Sequence, residues 1–180
     1  MNVLILLAEG FEECEALVPT DVLRRAGADA TLVSITNSLD VTGAHGITVK
    51  ADTTLQNANT DKIDALLLPG GGLGTENLAN STAVSAVINK AVQQQSIIAA
   101  ICAAPSVLGR LGLLDGKEYA CYPGFEKYMP NAKRSQHNVV KDGKTITAAG
   151  MGVSLDFALA VTESLYGKET AEKISIGIIR

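Results

Sequence analysis

A chain of 180 residues and 18.7 kDa fits one domain of ordinary size, 1–180. Its 47% apolar residues and mean hydropathy of +0.20 supply a core and exclude wholesale disorder. Fifteen Lys and Arg against 19 Asp and Glu give a net charge of -4, with no basic block, so strong nucleic-acid binding is not expected.

Val3 to Ala8 is a short apolar run, as in a strand buried on both faces. It lacks a positive n-region and is too short for a signal peptide or a membrane span. The longest apolar stretch, Ile97 to Leu114, is broken by Pro105 and Arg110. No membrane partner is expected, and the expected location is the cytoplasm.

Glu13 to Ala26 carries Ala16, Leu17, Val18, Val22 and Leu23 at helical spacing and stops at Gly27. Pro19 implies that this helix starts late or bends. Asp29 to Ile35 reads as a strand, and Leu39 to Lys50 as a hairpin around Gly43–Gly46. Ala65 to Leu68 is a buried strand stopped by Pro69-Gly70-Gly71-Gly72. Thr82 to Val92 is helical, Ser96 to Ile101 a strand, and Pro105 to Leu114 a helix with proline in its first turn. Asp142-Gly143 between Val139–Val140 and Thr145–Ala148 signals a hairpin. Val153 to Tyr166 is an amphipathic helix that stops at Gly167. The alternation predicts an α/β fold, a mostly parallel sheet covered on both faces.

Ligands in such folds sit at the carboxyl ends of strands. Three segments leave those ends: Glu9–Glu15, Pro69–Gly74 and Cys102–Pro105. In SIIAAICAAP, residues 96–105, a strand runs into a helix with Cys102 at the corner and Ala100 and Ala104 on either side. Small neighbours suit a strained nucleophile elbow. A helix N-terminus would lower the thiol pKa. The plain alternative is a buried structural cysteine.

Glu9, Glu12, Glu13 and Glu15 cluster after the first strand. One of them could reach Cys102 as a proton carrier. The others would be solvated acids of a first helical turn, and spacing does not choose among the four. PGGGLG, residues 69–74, fails the dinucleotide fingerprint because residue 75 is Thr. Its backbone N–H groups could instead stabilise an oxyanion, or simply form a turn. His45 and His137 lie far from Cys102 in sequence, and His137 sits in a polar stretch. Cys14 and Cys121, with Cys102, make an odd number without zinc spacing, so free thiols are expected and no metal site.

The chain resembles the ThiJ/PfpI superfamily, in the branch of the parkinsonism-associated deglycase and its bacterial relatives. The matching segments are AEGFEECEALVPTDVLRRAG (8–27), DALLLPGGGLGTENL (64–78), AAICAAPSVLG (99–109) and GVSLDFALAVTESLYGKE (152–169). The resemblance implies a flavodoxin-like doubly wound sandwich, usually a homodimer. It places Cys102 at the nucleophilic, oxidation-prone cysteine and Glu15 at the acid that hydrogen-bonds it. Gly70, Gly71 and Ala103 match the backbone donors. Two positions depart from the pattern. Tyr122 stands where many members have a histidine; a phenol donates a hydrogen bond but is a poor base at neutral pH. His45 stands at a basic position near the dimer interface and the pocket, whereas Arg25 is retained. Ala103 follows the cysteine where the superfamily's peptidases and amidotransferases have histidine, which argues against both of those reactions.

The leading function implied is a cofactor-free cysteine enzyme, needing neither glutathione nor metal, that converts glyoxal or methylglyoxal to 2-hydroxy acids. Removal of early glycation adducts from proteins and nucleotides is a related activity. The alternative is a redox-sensing stress protein or chaperone acting through oxidation of Cys102 to sulfinate. A third reading is an inherited fold whose site has decayed.

Overall fold

The computed structural model of the chain describes residues 1–180. In order, its elements are β1 (Asn2–Leu7), α1 (Glu13–Arg25), β2 (Asp29–Ser34), β3 (Asp40–Thr42), β4 (Thr48–Lys50), β5 (Thr53–Thr54), β6 (Ala65–Leu68), α2 (Gly72–Asn80), α3 (Thr82–Gln93), β7 (Ile97–Ile101), α4 (Pro105–Arg110), β8 (Glu118–Tyr119), β9 (Lys133–Arg134), β10 (Val139–Asp142), β11 (Thr145–Ala148), α5 (Ser154–Tyr166) and α6 (Lys168–Gly177). Seven strands form one sheet in the order β10-β11-β7-β6-β1-β2-β5. Every pair in it is parallel except β10–β11. The β3–β4 hairpin and the β8–β9 pair stand apart from it.

Side chains alternate across a strand, so each central strand feeds two cores. Leu4 and Leu6 of β1 face one core with Leu66 and Leu68 of β6 and Val84 and Ile88 of α3. Val3, Ile5 and Leu7 face the other with Leu67, Leu23 of α1, and Phe157 and Val161 of α5. Burial on both sides explains why these strands are near-continuous apolar runs.

Four features differ from the sequence expectation. Helix α1 starts at Glu13 with Pro19 inside it, so the helix does not start late. Proline removes one backbone donor there, and the Thr20 hydroxyl donates to the Ala16 carbonyl at 2.7 Å on the same turn. Helix α4 ends at Arg110, well before Leu114, because Gly112 adopts φ +71° in the turn that follows. The glycine-rich segment after β6 continues as helix α2 rather than as a loop. Finally, α6 and the two-residue strands β5, β8 and β9 carry no periodic signal long enough to read.

Helix α2 matters because it rests on the backbone after β1. A Cβ at Gly74 would lie 2.7 Å from Phe11 Cα and 2.7 Å from Phe11 N, whereas one at Gly72 would meet nothing within 4 Å. Gly74→Ala is therefore expected to destabilise the fold by about 1–3 kcal/mol despite alanine's helix propensity. Gly72→Ala is expected to be neutral or slightly stabilising. Urea unfolding of the two variants checks this contrast, and equal stability would contradict the packing described.

Candidate active site

Strands β7, β6 and β1 are adjacent, so the segments leaving their carboxyl ends meet. The chain after β7 turns at residues 102–104 before α4 begins at Pro105. Cys102 adopts φ +64°, a left-handed conformation that costs an L-residue about 1–2 kcal/mol. The neighbouring backbone holds it there. The Cys102 N–H donates to the Ala148 carbonyl at 2.8 Å, and the Cys102 carbonyl accepts the Tyr122 N–H at 2.7 Å. Ala103 and Ala104 are buried, so larger side chains would have no room.

Glu15 comes to the thiol from the first turn of α1. Glu12 caps that helix, its carboxylate accepting the Glu15 N–H at 2.8 Å. The Glu15 side chain is 1% exposed, and its Oε2 accepts the Gly70 N–H at 2.8 Å. Its Oε1 is buried without a hydrogen-bond partner, and the Cys102 side chain lies close enough for the two groups to influence each other's ionisation. Residue 70 has to be glycine: a Cβ there would sit 2.6 Å from Glu15 Oε2 and 2.7 Å from Cys102 Cβ. Gly71, at φ +86°, lets its turn close against the Gly10 carbonyl.

The electrostatics follow from this enclosure. Burial pushes the Glu15 carboxyl from the ordinary 4.5 to about 7, against hydrogen bonds from Cys102 and the Gly70 N–H that favour its charged form. Burial, then the negative charge of Glu15 and its hydrogen bond, push the Cys102 thiol up to about 12, while the N–H groups of Gly71 and Ala103 pull it down. The lowered thiol pKa expected from a helix dipole is not what this corner produces, since α4 is six residues long and begins three residues beyond the sulfur. Glu15 and Cys102 instead act as one unit that gives up a first proton near neutrality and holds the second tightly.

The DJ-1/PfpI family model matches residues 1–164. The chain belongs to the DJ-1/PfpI family. It is 37% identical to the Parkinson disease protein 7 homolog of Danio rerio, over 98% of this chain and 95% of that protein. It is 34% identical to a deglycase of Pyrococcus abyssi, over 82% of this chain and 89% of that protein. Protein DJ-1 homolog B of Arabidopsis thaliana is 41% identical over 97% of this chain, but the chain spans only 40% of that protein's length. A crystal structure of oxidised Toxoplasma gondii DJ-1 superposes with a TM-score of 0.94 at 36% identity, covering 99% of this chain and 97% of that one. The fold is the flavodoxin-like sandwich of DJ-1 proteins.

One position that the family resemblance marks lies differently from the expectation. Gly70 is not a free oxyanion donor, because its N–H is committed to Glu15; Gly71 and Ala103 are the donors that face the sulfur. Tyr122 anchors the elbow through its backbone, and its side chain is 52% exposed. Arg25 lies ten residues beyond Glu15 on α1, about 15 Å along the helix axis, and pairs with Asp21 at 2.7 Å. It lines a groove of about 740 Å³ between α1 and α5, with Cys14, Leu17 and Met151.

Glu13 is not the solvated acid its position suggested. It is buried, its Oε1 accepts the His45 N–H at 2.8 Å, and its Oε2 pairs with His45 Nδ1 at 2.8 Å. Burial opposes its charge, yet these bonds outweigh that effect and hold its pKa below the usual carboxylate value. The pair clamps the β3–β4 hairpin against the start of α1. No short-range signal could have paired residues 32 apart. Glu12, Glu13 and His45 also bring ligand atoms within 4.8 Å of one another. Glu13 is already committed to the hairpin, so the group reads as a structural clamp. Cys121 is buried in the core opposite the one that Cys102 packs against, and Cys14 is exposed on α1. Neither is placed as a redox partner of Cys102.

The raised pKa of Glu15 has a consequence for stability. The folded chain binds this proton more tightly than the unfolded one, so stability falls as pH rises from 4.5 towards about 7. Glu15→Gln cannot ionise and is expected to flatten that slope, by roughly 1–3 kcal/mol across the window. Urea unfolding at several pH values through the window reads this directly, and an unchanged slope would contradict the burial assigned to Glu15.

Proposed function

We propose that the chain is a glutathione-independent glyoxalase acting on glyoxal and methylglyoxal, with related deglycase activity, in carbonyl and oxidative stress defence. The observation that carries this reading is the buried Glu15 carboxyl, with a pKa near 7, beside a thiol at a strained corner. A base of that pKa is matched to proton transfer at neutral pH. Membership of a family with a deglycase-named member supports the same class of chemistry.

In the proposed reaction Cys102 Sγ attacks the aldehyde carbon of methylglyoxal as Glu15 takes the thiol proton. The N–H groups of Gly71 and Ala103 receive the developing negative charge. Glu15 passes that proton on to the alkoxide, which gives a neutral hemithioacetal and restores the carboxylate. Glu15 then removes the proton from the former aldehyde carbon and returns one to the adjacent carbon, converting the hemithioacetal to a 2-hydroxy thioester. Water attacks this thioester, lactate leaves, and the thiol is restored. The sum is methylglyoxal plus water to lactate, with no cofactor. Tyr122, with its exposed phenol, would act at the rim as a hydrogen-bond donor where relatives use histidine. The apolar groove along α1 and α5 is where a second copy would dock, placing Arg25 at the dimer contact and away from its own chain's sulfur.

A second reading rests on the buried, partnerless Glu15 Oε1. Peroxide would oxidise Cys102 through sulfenate to sulfinate. A protonated Glu15, with Gly71 and Ala103, would hold the new oxygens, and the product would serve as a stress signal or chaperone switch without turnover.

Lactate formation from methylglyoxal without glutathione tests the first reading. Cys102→Ser and Glu15→Gln are each expected to lose about 10²-fold or more of kcat/KM. A Cys102→Ser variant as fast as the parent would overturn it. An inactive parent whose Cys102 is still selectively oxidised would favour the second.

A further inference from the structure

Three residues behind the sulfur close a ring of hydrogen bonds. The Gly70 N–H donates to Glu15 Oε2 at 2.8 Å, the Glu15 N–H donates to Glu12 Oε2 at 2.8 Å, and the Glu12 N–H donates to the Gly70 carbonyl at 3.1 Å. Each residue gives one N–H and accepts another, so displacing any one of them breaks two of the three bonds. The neighbouring backbone is packed as tightly: a Cβ at Gly71 would lie 2.8 Å from Glu12 N and 2.3 Å from the Gly10 carbonyl oxygen. Glu12 thus ties the turn that carries the Gly71 N–H to the helical turn that carries the Glu15 carboxyl.

Glu12 also brings a charge. Helix N-caps are most often Ser, Thr, Asp or Asn, and a neutral hydroxyl would satisfy the Glu15 N–H. A carboxylate at the cap stands instead beside a carboxyl almost wholly out of water, and like charges oppose ionisation. Burial is the main cause of the raised Glu15 pKa, and the charge of Glu12 adds to it. The other ionisable groups around the two acids are few. Glu13 and Cys14 follow Glu12 on α1, His45 faces it from the β3–β4 hairpin, and Cys102 faces Glu15 from the elbow. The turn from Pro69 to Thr75 carries no ionisable side chain. His45 is paired with Glu13, so its positive charge is spent first on that acid.

We propose that Glu12 is a positioning residue for the Glu15–Cys102 pair: its hydrogen bonds fix the carboxyl against the Gly70 turn, and its charge opposes the ionisation of Glu15. The proposal deepens the glyoxalase reading and rests on Glu15 as the proton carrier. An uncharged cap would leave Glu15 a weaker base, ionised at lower pH.

The full-length chain, labelled with 13C at its glutamate carboxyls, is titrated by NMR, with Glu15→Gln to assign the Glu15 signal. Three variants separate the cap from the charge. Glu12→Gln keeps an amide oxygen as acceptor and removes the charge, Glu12→Asp keeps both on a shorter side chain, and Glu12→Ala loses both. Glu15 is expected to titrate at about 7 in the parent, near the same value in Glu12→Asp, and at lower pH in Glu12→Gln. Glu12→Ala is expected to have a lower Tm than Glu12→Gln, because the ring is then open. In methylglyoxal conversion, kcat/KM at pH 6 relative to its own plateau is expected to be roughly twofold or more higher in Glu12→Gln than in the parent. A cap without an electrostatic role would scale the whole profile and leave its shape unchanged. A Glu15 signal that titrates in folded Glu12→Gln where it does in the parent overturns the proposal. So does a Glu12→Asp variant displaced as far as Glu12→Gln. A parent that makes no lactate sinks the glyoxalase reading, while the carboxyl titration still decides the role of Glu12.

Discussion

A carboxyl group placed almost entirely out of water is expensive unless something holds it, and Glu15 is held from two other segments of the chain. The Gly70 N–H takes one oxygen, and the Cys102 thiol stands against the carboxyl. This contact joins the ends of β1, β6 and β7. Gly70 is glycine because a Cβ would occupy the space of the carboxyl and of the Cys102 side chain. Cys102 sits in a left-handed conformation, and the Ala148 and Tyr122 backbones hold it there. Each local oddity makes sense only in the presence of the other two.

In the proposed reaction, activation of the sulfur follows from the same enclosure. A short helix starting beyond the elbow does not supply it. The buried acid does, since a group that loses its proton near pH 7 stands next to a thiol that would otherwise keep its own far into the alkaline range. The first negative charge of the pair rests on the Glu15 carboxylate, which accepts the Gly70 N–H, while the N–H groups of Gly71 and Ala103 favour charge on the sulfur. An electrophile that draws the charge onto sulfur therefore finds a base already in contact.

The sequence made the scaffold legible wherever physics is local. Three strands of the main sheet, β1, β6 and β7, read as apolar runs because both faces are buried. The corner at Cys102 was marked by alanines and a proline, and both main hairpins by glycines. Helix α2 was hidden because Gly72 and Gly74 argue against a helix, and only packing on Phe11 reveals why residue 74 has no side chain. The choice of Glu15 among four acids came from resemblance, since spacing is silent on which side chain turns inward. The pairing of Glu13 with His45 is invisible for the same reason, since it exists only after the hairpin folds back onto α1.

The measurement that bears most directly on this account is the pH titration of Cys102, followed by thiolate absorbance with Cys102→Ser as the blank and by alkylation rate with iodoacetamide. In the parent, Cys102 is expected to keep its proton through neutrality and to titrate only in the alkaline range, towards about 12, because burial and the ionised Glu15 both oppose its charge. In Glu15→Gln, which lacks that negative charge, the titration is expected to move down towards the free-thiol range, about 8.5, with burial keeping it above that value. A parent thiol that titrates like a free cysteine, unchanged by Glu15→Gln, would show that the two groups are not coupled and would contradict the central claim.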